Sequence, residues 1–217
     1  TASLFDTDNF IDAMQEMTDL YKIYGMSTSL PSFYNSFRSG EVPIGIATFG
    51  TYMQLQVAAP ELAGKWGIAL TPGTKQEDGT ILRYQPATSN TCMILENTQK
   101  SEEAWSFLKW WLSTDVQTRY AYLLQSRYGS EYRWNSANLK AFAQMPYDVE
   151  DREVIMTQWK DQRETVNHPA NYMIERESSE IWNGVVVDSE ALIEEIDKAT
   201  TLTNREIRRK LTEFGFC

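Results

Sequence analysis

The chain has 217 residues, with 20 Lys and Arg set against 30 Asp and Glu, for a formal net charge of −10. Such an excess of acid repels phosphate backbones and anionic lipid, which argues against nucleic acid as a partner. With 12% aromatic residues, seven Pro and eleven Gly, the composition is that of a folding chain. The length suits one large domain or two small ones. His168 is the single imidazole, so neither an HExxH helix nor a multi-His metal site can be written. Cys92 and Cys217 form no CxxC pair, and no run approaches the ~20 apolar residues of a membrane span. The opening at Thr1 without Met reads as a mature or truncated product whose targeting segment lies outside this sequence.

In chain order, the spacing of Phe10, Ala13, Met14, Met17, Leu20, Tyr21 and Tyr24 predicts a helix, capped by Thr7 and ended at Gly25. FRSGEVPIGIATFG (37–50) places a Gly turn before alternating Val42, Ile44 and Ile46, which predicts a strand. Trp66–Leu70 predicts another strand, and TPGTKQEDG (71–79) a loop. After Thr88, Ser89 and Asn90, the apolar run Thr91–Leu95 predicts a buried strand. Ser101 then caps a helix with Glu102 and Glu103 in its first turn and a buried stripe of Trp105, Leu108, Leu112, Val116, Tyr120 and Leu123. Residues 127–138 read as loop. Helical spacing resumes near Asp148, with Val149, Ile155, Met156 and Trp159 inward. The tail predicts one helix from Ser189 through Leu192, Ile193, Ile196 and Ala199, and a second capped by Thr203 with Glu206 three residues on.

The order of these elements resembles extracellular solute-binding proteins of the family 1 type, the sugar receptors of ABC importers. The residues that carry the resemblance are FRSGEVPIGIATFGTY (37–52) and APELAGKWGIALTPG (59–73), then NTQKSEEAWSFLKWWLSTDVQTRY (97–120), then HPANYMIERESSEIWNGVVVD (168–188) through NREIRRKLTEFGF (204–216). The resemblance implies an α/β fold, a periplasmic-binding-protein-like type II lobe with helices around a small mixed sheet. It implies that residues 1–83 form the first part of a C-terminal lobe, that 84–134 cross to an N-terminal lobe, and that 135–217 return to the C-terminal lobe. Residues 91–125 should then pack as an appended unit. The implied partners are a small carbohydrate and the permease subunits of an ABC transporter, with no cofactor. The implied place is outside the cytoplasmic membrane, anchored to its outer face by a lipid on a Cys upstream of this sequence.

Sugar receptors pair flat aromatic rings with amide, carboxylate and Arg partners, because a sugar offers an apolar C–H face and a rim of hydroxyls. By resemblance, the cleft aromatic after the Gly turn is Phe49 or Tyr52, although FGTY departs from the family's usual Gly-x-Trp. The other reading of either ring is core packing. Tyr84, Ser89 and Asn90 lie at the first expected crossing, and Trp134 and Asn135 at the second. Tyr172, Arg176 and Glu177 precede the Trp182 segment, where family members present cleft residues; Arg176 and Glu177 read equally as a solvated helix pair. Trp105, Trp110, Trp111, Trp159 and Trp182 read as packing, the Arg205, Arg208, Arg209 and Lys210 cluster as a solvated face, and His168 as a loop residue.

The resulting expectation is a non-catalytic binding subunit. Two other classes compete: a carbohydrate-active enzyme drawing a glycosidase pair from the 30 carboxylates, and a helical interaction module without a small ligand. No carboxylate stands in a motif that demands catalysis, and the module leaves the turn and strand motifs unexplained.

Overall fold

The computed structural model describes residues 2–29, 32–87, 90–164 and 167–216. Ser89 and Cys217, singled out above, lie outside the described residues. The chain divides into two compact units: Thr1–Pro31 with Val166–Cys217, and Ser32–Thr165.

The first unit holds three helices, α1 (Asp8–Lys22), α8 (Asn171–Val186) and α9 (Leu192–Glu213). Thr7 precedes α1 in extended conformation as expected, but its hydroxyl donates to the Leu4 carbonyl at 2.7 Å instead of capping the helix. Phe5, Met14, Ile181, Ile196 and Ala199 make the core. Of the stripe predicted on α1, only Met14 is buried, while Met17, Leu20 and Tyr24 are exposed. The two predicted tail helices are one 22-residue helix, with Thr203 fully buried in its middle. The Thr203 and Glu206 capping box is therefore corrected: both residues are interior to α9, and Glu206 bonds to other side chains. Gly184 of α8 faces the Glu195 side chain of α9, which a Cβ there would meet at 2.7–2.8 Å.

The second unit begins with α2 (Phe33–Ser39), capped by Ser32 accepting from Asn35 N–H at 3.3 Å and ended by Gly40 at φ +81°. Helix α3 (Phe49–Ala58) follows, capped by Thr48, which accepts from Thr51 N–H at 3.4 Å. The predicted strands at 42–46, 66–70 and 91–95 are corrected: among the described residues these segments have no regular secondary structure and join no ladder. Alternation specifies a strand only where a neighbouring edge satisfies its backbone, and Ile44, Ile46, Met93 and Leu95 stand 67–82% exposed here. Instead, the sheet content is two short pairs. β1 (Thr74–Lys75), inside the stretch read as loop, pairs antiparallel with β2 (Ile81–Leu82) just beyond it, around a turn where Asp78 Oδ1 accepts from Thr80 N–H at 2.9 Å. β3 (Gln85–Pro86) pairs in parallel with β4 (Gln162–Arg163), Gln85 opposite Gln162 and Pro86 opposite Arg163.

The predicted helix from Ser101 is two helices, α4 (Ser101–Trp111) and α5 (Thr114–Tyr128). Ser113 turns extended between them and donates its hydroxyl to the Trp110 carbonyl at 2.7 Å, which breaks the shared stripe. No residue of α4 is buried, and Trp105 is 56% exposed, against the expected buried face. Helix α6 (Leu139–Phe142) and α7 (Val149–Lys160) complete the unit. Asp148 caps α7 by accepting from Glu150 N–H at 2.9 Å and Asp151 N–H at 3.3 Å. Its inward residues are Ile155, Met156 and Trp159, whereas Val149 is exposed. The core gathers Tyr52, Ala121, Ala141, Phe142, Met145, Tyr147 and Ile155. Thus the architecture is helix-rich with small sheets, consistent with an α/β solute-binding fold.

Candidate functional site

Local sequence explains how α7 holds the β3–β4 ladder. Gln158, on the face of α7 next to Trp159, accepts from both Thr71 N–H and Thr71 Oγ1 at 3.0 Å and donates to the Arg83 carbonyl at 2.9 Å. Gln85 adds a bond from its amide to Thr71 Oγ1 at 3.3 Å. One glutamine thereby satisfies groups of two chain segments that have no regular ladder of their own. The other face of the ladder carries Tyr84, 48% exposed, with the Arg163 guanidinium 4.3 Å from its ring centre. Asn90 is exposed a few residues further along.

The expected cleft aromatics lie elsewhere. Tyr52 is 6% exposed, a core residue and not the open platform expected of it. The cause is helical: FGTY folds as the first turn of α3, which turns Phe49 and Tyr52 onto one inward face. Phe49 packs against Tyr52, Phe142, Tyr147 and Trp159 at 5.7–6.2 Å between ring centres. The Tyr52 hydroxyl donates to Asp151 Oδ2 at 2.8 Å. Burial, reinforced by that anionic acceptor, raises the phenol well above its ordinary range. Burial likewise pushes Tyr147 up to about 12, against the pull of Arg133, whose guanidinium lies 5.3 Å from the ring centre. Trp134 is half-buried against Trp111 and Tyr120, 5.7 and 5.0 Å away, and its carbonyl accepts from the Tyr147 hydroxyl at 2.9 Å.

Tyr172, Arg176 and Glu177 belong to the other unit, on α8. Arg176 donates through Nε and Nη2 to Glu177 Oε1 at 3.0 and 2.6 Å; the carboxylate is buried and the guanidinium exposed. The Tyr172 hydroxyl donates to Glu206, which also takes Arg209 Nε at 2.8 Å and Nη2 at 2.6 Å. Those bonds, from Arg209 first and then Tyr172, hold the Glu206 carboxyl at about 2. His168 accepts from Ala170 N–H at 3.0 Å through Nδ1 at the start of α8, the loop role expected.

Five of the eight expected ligand residues therefore fall in one unit and three in the other. Within the second unit, Phe49, Tyr52 and Trp134 share core packing while Tyr84 and Asn90 face solvent. Arg163 was missed by the sequence reading, since nothing in DQRE marks a partner for an aromatic 79 residues earlier; only the ladder register does. Among the described residues, no group of three or more His, Cys, Asp or Glu could hold a metal ion, and no helix is long and apolar enough to cross a membrane.

The family described as bacterial extracellular solute-binding protein matches residues 2–118, and the chain belongs to that family. A search of curated proteins finds no significant match. Proteins of this family bind solutes outside the cytoplasmic membrane for transport and are generally non-enzymatic.

Proposed function

We propose that this chain is part of the substrate-binding subunit of an ABC importer, which captures a carbohydrate between two lobes and delivers it to a membrane permease. The family match over residues 2–118 carries this reading. In it, residues 1–83 and 135–217 belong to the C-terminal lobe and 84–134 to the N-terminal lobe. The exposed Met93, Leu95, Phe107 and Trp110 support the crossing, because they give this segment an apolar surface suited to the body of a second lobe. The subunit is exported and held at the outer face of the membrane by a lipid anchor.

Tyr84, Asn90, Tyr172 and Arg176, whose side chains are exposed, are the ligand contacts of this reading. Phe49, Tyr52 and Trp134 pack in the core of the unit that carries Tyr84 and Asn90, and on α8 Glu177 pairs with Arg176. Closure of the lobes on the sugar presents it to the permease, as in other hinge-closing binding proteins.

Calorimetry of the intact receptor with mono- and oligosaccharides tests the reading, and saturable binding without turnover of chromogenic glycosides is the expected result. Residues 1–217 alone should bind weakly, since part of the cleft wall lies outside them in this reading. Turnover of the glycosides would return the glycosidase reading instead.

A further inference from the structure

Arg163 stands opposite Pro86 in the parallel ladder, which puts it on the same face as Tyr84, two residues before Pro86. The stack at 4.3 Å holds the plane of a guanidinium that would otherwise sample many rotamers. Nη1 is occupied, donating to the Gln162 carbonyl at 2.9 Å. The opposite edge, Nε with Nη2, has no hydrogen-bond partner among the described residues, and no carboxylate there pairs with it, although Asp161 and Glu164 flank it in sequence.

That edge is the one arginine offers to a carboxylate, as two parallel N–H donors. The chain uses it so elsewhere: Arg209 takes both oxygens of Glu206 through Nε and Nη2, and Arg176 turns the same two nitrogens on Glu177. At Arg163 the same edge is exposed and open to a carboxylate from outside the chain. The net charge of −10 does not oppose this at short range, because screening limits distant repulsion to about 8 Å in physiological salt.

We infer that the Nε–Nη2 edge of Arg163, held on Tyr84, binds a carboxylate of the solute, so that the captured carbohydrate is acidic, of the uronate class. This rests on the carbohydrate reading above and on Tyr84 as a contact. A uronate presents both halves of the match, a ring face for the aromatic and a planar carboxylate for the fork. A neutral sugar presents only the first.

The test is calorimetry of the intact receptor with glucuronate, galacturonate and their short oligomers, each against the neutral sugar of the same stereochemistry. Uronates should bind at least about tenfold tighter, with the advantage shrinking as sodium chloride is raised. Arg163→Gln should abolish the preference for uronates over the matching neutral sugars, and Arg163→Lys should keep part of it. Neutral sugars binding as well as uronates, or a preference that survives Arg163→Gln, overturns the inference and leaves the carbohydrate reading standing. Binding of neither series overturns both.

Discussion

Tyr52 and Asp151 lie 99 residues apart in sequence, and the phenol of one donates to the carboxylate of the other at 2.8 Å. The bond ties α3 to α7 at the edge of the second unit's core, with the Gln56 amide 3.3 Å from the same carboxylate oxygen. A ring so placed belongs to stability first. Tyr52→Ala should cost about 3–5 kcal/mol, as truncation of a core aromatic does. Tyr52→Phe should cost about 1 kcal/mol by deleting the hydrogen bond and keeping the ring. Chemical denaturation of both variants checks the pair; equal small losses would return Tyr52 to an open wall.

Gln158 is the second tie between α7 and distant chain. Gln158→Leu keeps the size of the side chain but leaves Thr71 N–H and the Arg83 carbonyl without their partner. A loss of about 1–3 kcal/mol is expected. Amide hydrogen exchange should quicken at Thr71, Gln85 and Ala87 before it does in α5.

Two glycines separate hard from soft close approach. At Gly73 an added Cβ would overlap the backbone oxygen of Leu82, which cannot move without breaking the β1–β2 hairpin, so Gly73→Ala should cost about 1–3 kcal/mol. At Gly184 the three atoms nearest an added Cβ are the Cγ, Cδ and Oε2 of Glu195, side-chain atoms that rotation of that residue can move, and alanine favours the helix by about 1 kcal/mol. Gly184→Ala should therefore leave the denaturation midpoint nearly unchanged or raised.

Glu206 makes stability depend on acid pH. Its carboxyl is held at about 2 when folded, against 4.5 for a free glutamate, so the folded state binds its proton later than the unfolded state. The contribution is complete above about pH 4.5 and is lost as pH falls toward about 2. Melting temperatures measured across that window should fall less steeply for Glu206→Gln than for the parent chain, and parallel profiles would remove Glu206 from the account.

Short-range chemistry was legible in the residues. The first helix between Thr7 and Gly25, the helix beginning near Asp148 and the acid-rich first turn of α4 follow from spacing and side-chain type, because helix-end preferences and amphipathic periodicity act within a few residues. What pairs with what was decided by the tertiary structure. Val42–Ile46 alternates and Thr91–Leu95 is an apolar run, yet neither pairs with an edge among the described residues, whereas the loop-like TPGTKQEDG (71–79) contains β1 of a hairpin that Ile81–Leu82 closes. Thr203 has the chemistry of a cap, yet packing against α1 and α8 carries α9 straight through it. Phe49 and Tyr52 have the chemistry of a sugar platform, and α3 turns them into the core. Arg163 shows nothing in sequence, and a ladder between Gln85–Pro86 and Gln162–Arg163 stacks it on Tyr84. Periodicity records which residues are apolar and at what interval; only a folded chain determines which surface lies opposite them.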